Sequence, residues 1–151
     1  MSSKVDVDNF LAQKTIAVVG VSRGGKKFGN AVLKDLKEKG YRTFPINPHA
    51  ESIEGERCYP NLTALPERPD GVITIVPPAT TEEVVKQAHA AGIKRVWMQQ
   101  GSESEAAIRY CRDNGMTVID GECILMFAEP TAFYHRFHRW VWKLLGKLPT
   151  E

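Results

Sequence analysis

The 151-residue sequence has little cysteine: its three, Cys58, Cys111 and Cys123, make neither a CxxC pair nor a Cys/His ligand spacing. An odd count with no such spacing fits reduced thiols better than a disulfide framework or a zinc site. Long apolar runs are also missing. Nothing approaches the roughly 18 uninterrupted apolar residues of a membrane span. The polar start MSSKVDVDNF lacks the charged-then-apolar order of a secretory signal, so a cytoplasmic location is expected. Charge of one sign is scarce: 20 Lys and Arg against 18 Asp and Glu leave a formal +2. That is far less than a nucleic-acid backbone demands, and no nucleic-acid partner is expected. There are no repeats and no low-complexity tract. The length and the 42% hydrophobic content fill one core, which gives a single domain over residues 1–151.

What is present is an alternation of short, β-branched apolar runs with longer amphipathic segments. TIAVVG (15–20) reads as a strand, FGNAVLKDLKEKG (28–40) as a helix with Val32, Leu33 and Leu36 inward, and YRTFPIN (41–47) as a second strand. A turn-rich linker, with a helical turn near Leu62 to Leu65, leads to the buried strand GVITIV (71–76). TTEEVVKQAHAAG (80–92) reads as a helix with Thr80 or Thr81 as its N-cap and glutamates in its first turn. RVWMQ (95–99), SEAAIRYCRDNG (104–115) and MTVID (116–120) continue as strand, helix, strand. The pattern predicts an α/β, Rossmann-like open parallel sheet of about five strands with helices on both faces. Ligands of such sheets bind at the carboxyl ends of the strands, so the segments after Gly20, Asn47, Val76 and Gln99 are the ones to inspect. The last segment, 131–148, carries Phe133, Phe137, Trp140, Val141 and Leu144 at helical spacing opposite basic residues. It reads as a C-terminal amphipathic helix docked on the domain or on another subunit, which implies a homodimer or a partner protein; a membrane surface is the alternative.

The loop GVSRGGKKFG (20–29) runs from a strand into a helix and contains Gly20, Val21, Ser22, Arg23, Gly24, Gly25, Lys26 and Lys27. Glycines let backbone approach an anion, a helix N-terminus favours negative charge, and three cations and a hydroxyl add to it. A phosphate-bearing ligand is expected here. Among such ligands, NAD is disfavoured because Ser22 replaces the second fingerprint glycine and Asn47-Pro48 stands where an acidic residue would hold the ribose. ATP or GTP is disfavoured because Lys27 occupies the magnesium-binding Ser/Thr position of a P-loop. A degenerate NAD(P) or nucleotide site remains the alternative.

IAVVGVS with its glycine-rich continuation, GYRTFPINP followed by IEGERCYPNL, GVITIVPPA, AGIKRVWMQQG and the late Cys123-Ile124 together resemble the CoA-binding domain family. These are small stand-alone proteins similar to the N-terminal domain of the succinyl-CoA synthetase alpha subunit, and the likeness spans residues 14–124. The resemblance implies coenzyme A or an acyl-CoA as cofactor, bound across the strand ends. It implies contacts from Val21 to Gly25 in the first loop, an adenosine side lined by Ile75, Val76, Pro77 and Pro78, and an opposite edge of Asn47, Pro48 and His49. The synthetase pattern has a lysine just past the second strand. This chain has His49, Ala50 and Glu51 there, and Lys26 or Lys27 is the expected substitute. The synthetase's phosphorylated histidine lies in a second domain, so no self-contained catalytic site is expected.

Other chemistry is weakly signalled. Cys123, at the fifth-strand exit, is the one candidate redox thiol, able to form a mixed disulfide with coenzyme A and so to make the chain a redox carrier or an enzyme subunit acting with a partner. Cys111 reads as helix packing, and Trp97 as core. Asp120 and Glu122 have no partner base or nucleophile. His135 and His138, three apart, lack a third metal ligand, and no metal is expected.

Overall fold

A computed structural model describes residues 3–24, 27–53 and 55–124. Five parallel strands form the sheet: β1 (Thr15–Val19), β2 (Arg42–Ile46), β5 (Gly71–Thr74), β6 (Arg95–Gln99) and β7 (Thr117–Glu122), in the order β2-β1-β5-β6-β7. Two-residue strands β3 (Ser52–Ile53) and β4 (Glu56–Arg57) make a separate antiparallel hairpin. The helices are α1 (Lys4–Leu11), α2 (Phe28–Glu38), α3 (Pro78–Ala90) and α4 (Glu105–Asp113), with a 3-10 turn at Leu62–Ala64.

The alternation of side chains along each strand sorts the core into two layers. Ile16, Val18, Ile73, Trp97 and Ile119 meet Val7 and Phe10 of α1 and Val32, Leu33 and Leu36 of α2 on one face. Ala17, Val19, Val72, Val96 and Met98 meet Val84, Val85 and Ala88 of α3 and Ala107 and Cys111 of α4 on the other. The expected helices on both faces are therefore present. Trp97 is fully buried and packs edge-on against Phe10, 5.3 Å between centroids, in keeping with a core role.

Two details differ from the sequence reading. Helix α3 starts at Pro78, with Pro77 as its N-cap, because proline at the first helical position gives up an amide that has no helical partner anyway. Thr81 is thus inside the helix and buried, and Glu82 and Glu83 fall after its first turn. The polar start, read only for its lack of a signal, forms α1, capped by Ser3, which accepts from the Asp6 amide. The proposed C-terminal helix at 131–148, with His135 and His138, lies outside the described residues.

Candidate functional site

From β1 the chain goes to β2 on one side; from β2 it returns past β1 to β5 on the other. The direction of winding therefore reverses between β1 and β5, which opens a crevice at their carboxyl ends. The backbone there is tightly built. Gly20 leaves β1 with φ +123°, and a Cβ on it would stand 2.2 Å from the Ile75 carbonyl oxygen; a Cβ on Gly29 would stand 2.2 Å from the Gly20 carbonyl oxygen. The two glycines let strand exit, neighbouring strand and helix start converge.

Buried Asn30 holds the loop from within α2: its Oδ1 accepts from the Ser22 amide at 2.8 Å and its Nδ2 donates to the Ser22 carbonyl at 3.0 Å. The Ser22 hydroxyl also reaches Asn30 Oδ1, at 3.3 Å. Asn47 ties this loop to the next, because its Nδ2 donates to the Val21 carbonyl at 2.9 Å and its Oδ1 accepts from the His49 amide at 2.7 Å.

These exits enclose a cavity of about 220 Å³. Val19, Gly20, Val21 and Lys27 line it from the first loop, Ile46, Asn47, Pro48 and His49 from the second, and Ile75, Val76, Pro77 and Thr80 from the third. Of the residues singled out from sequence, Gly20, Val21, Lys27, Asn47, Pro48, His49, Ile75, Val76 and Pro77 thus come together. Ser22, Arg23 and Gly24 lie in the same loop but off the wall, with Arg23 and Gly24 exposed; Pro78 heads α3; Gly25 and Lys26 lie outside the described residues. Thr80 was missed because it was read as a cap. Asn30 was missed because a polar residue on a helix gives no sign of a partner eight residues back.

The electrostatics favour an anion. Helices α2 and α3 both begin at this cavity with no side-chain cap and no acid in the first turn. By contrast α4, at the same edge of the sheet, is capped by Ser104, which accepts from the Ala107 amide, and has Glu105 in its first turn. Two helix dipoles meet the cavity without a side-chain cap or a first-turn acid, although the Asn30 amide already donates to the Lys27 carbonyl and the Thr80 amide to the Pro77 carbonyl; Lys27 stands at the head of α2, and no carboxylate lines the cavity among the described residues.

Farther along the edge, polar groups are bonded to one another. Ser102 Oγ lies 2.9 Å from Thr74 Oγ1 and 2.7 Å from Thr81 Oγ1, all buried, and accepts from the Val76 amide at 3.4 Å. Gln99 Oε1 accepts from the Ile124 amide, and Trp97 Nε1 donates to the Glu122 carbonyl. Glu122 is buried with its Oε2 unpartnered among the described residues; burial, with a contribution from nearby Asp120, pushes its carboxyl up to about 7. Cys123 is buried on this side and lines neither this cavity nor a larger neighbouring groove. It follows β7, the edge strand, and belongs to the same buried layer as Val21 and Cys58. Burial raises the Cys58 thiol and pushes Cys111 up to about 11, which fits inert packing at Cys111. Among the described residues no group of three His, Cys, Asp or Glu is placed to hold a metal, and no helix is long and apolar enough to cross a membrane.

A five-stranded parallel α/β sheet with a cavity at its switch point defines a Rossmann-like domain. The comparisons with known proteins sharpen that class: the family model described as CoA binding domain matches residues 14–129, and the chain belongs to this family. Over 127 residues it is 30% identical to the uncharacterized protein YneT of Bacillus subtilis, covering 81% of this chain and 91% of that one. It is 27% identical over 129 residues to the alpha subunit of an ADP-forming acetate–CoA ligase (II) of Pyrococcus furiosus, covering 78% of this chain and 28% of that subunit. The structure of a conserved hypothetical protein from Pyrococcus furiosus superposes with a TM-score of 0.70 at 40% identity, covering 74% of this chain and 96% of that one. The chain thus spans only a minor part of the ligases it matches.

Proposed function

We propose that this chain is a binding module for coenzyme A or an acyl-CoA, with the diphosphate at the α2 and α3 N-termini and no catalytic site of its own. The observation that carries the reading is the cavity where two uncapped, acid-free helix starts meet Lys27. A diphosphate there gains amide hydrogen bonds and two favourable helix dipoles. Pro48 and Pro77 add rigid apolar walls suited to an adenine or a pantetheine arm. Family membership supports coenzyme A over other diphosphates, and the ligase relatives are compatible with a role beside a partner chain. Cys123 is buried and lines neither the cavity nor the adjoining groove, which gives a redox role no support.

Thermal shift with CoA, acetyl-CoA, dephospho-CoA, NAD, NADP and ATP tests this, since a ligand that binds only the folded state raises stability with its concentration. Stabilisation chiefly by the CoA species is expected. Stabilisation by NADP and not by CoA overturns the reading in favour of a degenerate dinucleotide site. Lys27→Glu is expected to weaken CoA binding by placing a like charge at the phosphates; unchanged affinity removes that loop from the account.

A further inference from the structure

The 220 Å³ cavity is smaller than the roughly 300–1,000 Å³ typical of small-molecule sites, and coenzyme A is a large ligand. If the reading above holds, part of the molecule lies outside. A groove of about 840 Å³ adjoins the cavity and shares Pro48 and His49 with it. Its far side is the β3–β4 hairpin, which presents Arg57.

The hairpin is stitched to the exit of β2. Arg57 pairs with Ser52, the Cys58 amide donates to the Glu51 carbonyl, the Tyr59 amide to the Pro45 carbonyl and the Asn47 amide to the Tyr59 carbonyl. Arg57 therefore stands on the same backbone frame as the Asn47–His49 wall of the cavity. Its guanidinium lies 5.1 Å from the Tyr59 ring centroid, and Tyr59 in turn packs edge-on against Phe44. This cation–π contact sets the guanidinium over the ring, and no side-chain hydrogen bond among the described residues occupies its N–H fork. Arg57 is exposed, and no ion pair joins it to a carboxylate among the described residues, unlike Arg42, which is paired with Glu67.

We propose that Arg57 is the specificity-determining residue for the ribose 3′-phosphate of coenzyme A, with the adjoining groove as the subsite. The proposal rests on the coenzyme A reading. With the diphosphate at the two helix starts, the 3′-phosphate is the remaining anionic group of the ligand, and the planar fork of an arginine matches a phosphate bidentately. Glu51 lines the same groove and opposes the phosphate charge. The two residues thus pull the affinity in opposite directions, which gives the proposal two independent signs to satisfy.

The test is titration calorimetry on the full chain with CoA and with dephospho-CoA, which differ only in the 3′-phosphate. The native chain is expected to prefer CoA. Arg57→Gln is expected to weaken CoA binding by about tenfold or more, the scale of a charge-assisted hydrogen bond, while leaving dephospho-CoA unchanged, so that the preference disappears. Glu51→Gln is expected to strengthen CoA binding and leave dephospho-CoA unchanged. Equal binding of the two ligands by the native chain overturns the proposal and leaves the coenzyme A reading standing. So does an equal loss for both ligands in Arg57→Gln. Binding of neither ligand by the native chain overturns the coenzyme A reading and this inference with it.

Discussion

At the exits of β1, β2 and β5 the backbone and its helix starts face a cavity, whereas after β6 the side chains of Ser102 and Gln99 are buried and bonded to neighbouring elements. The same sheet edge thus has an open half and a closed half. Helix starts follow the division: α2 and α3 are uncapped and acid-free on the open half, and α4 is capped by Ser104 with Glu105 in its first turn on the closed half. A helix start that lacks a cap forgoes about 1 kcal/mol of stability, so two such starts side by side make sense where a ligand supplies the missing acceptors.

The largest break in this contrast is expected from Gly20→Ala. A methyl 2.2 Å from the Ile75 carbonyl oxygen at positive φ must push β1 and β5 apart, at a cost of about 3 kcal/mol or more in denaturant unfolding. A loss under about 1 kcal/mol would show that the open half is not tightly built. On the closed half, Ser102→Ala removes the shared partner of Thr74 and Thr81 and is expected to cost about 2 kcal/mol. Because Ser102 also supports the Val76 amide, a loss of cavity ligand affinity beyond the stability change would show that the closed half props up the open one.

Glu122→Gln sharpens the comparison through pH. A carboxyl raised from about 4.5 to about 7 in the folded state binds its proton more tightly there than when unfolded. Glu122 then costs stability progressively as pH rises between those values, with the full cost above 7. Melting curves of Glu122→Gln and the native chain are expected to agree near pH 4 and to separate above pH 7, the variant being more stable by up to about 3 kcal/mol. Parallel curves would mean that the carboxylate is well solvated. The smallest effect is expected from Gly24→Ala, where a Cβ meets nothing within 4 Å: under about 0.5 kcal/mol in the same unfolding assay used for Gly20→Ala.

Strands and helices were legible wherever one face had to be buried, since Ile16 and Val18 or Val84, Val85 and Ala88 recur at the period of their element. The segment Lys4–Leu11 hid its helix because only Val7 and Phe10 are buried in it, too few for a visible stripe. The β3–β4 hairpin has two residues per strand, below any detectable alternation, and so the groove beside it went unforeseen. Of the residues that line the cavity, Gly20 was legible from its glycine-rich strand exit, and Asn47 and Pro77 from the strand-end rule and the family resemblance. Ser102 was not, since its partners Thr74 and Thr81 are 28 and 21 residues away and meet it only once the sheet is assembled. The α3 boundary slipped because Thr80 and Thr81 make as good a cap in sequence as Pro77-Pro78 make a start, and the fit of proline to the first helical position decided between them.

Asn30 offers Ser22 an acceptor and a donor at once, as a neighbouring peptide group in a sheet would. It acts as one rung of pairing supplied by a helix. Such a rung has polarity: an aspartate in its place keeps the acceptor, loses the donor and sets a carboxylate oxygen against the Ser22 carbonyl. Asn30→Asp is therefore expected to turn the loop's restraint into a repulsion without altering the shape of the side chain.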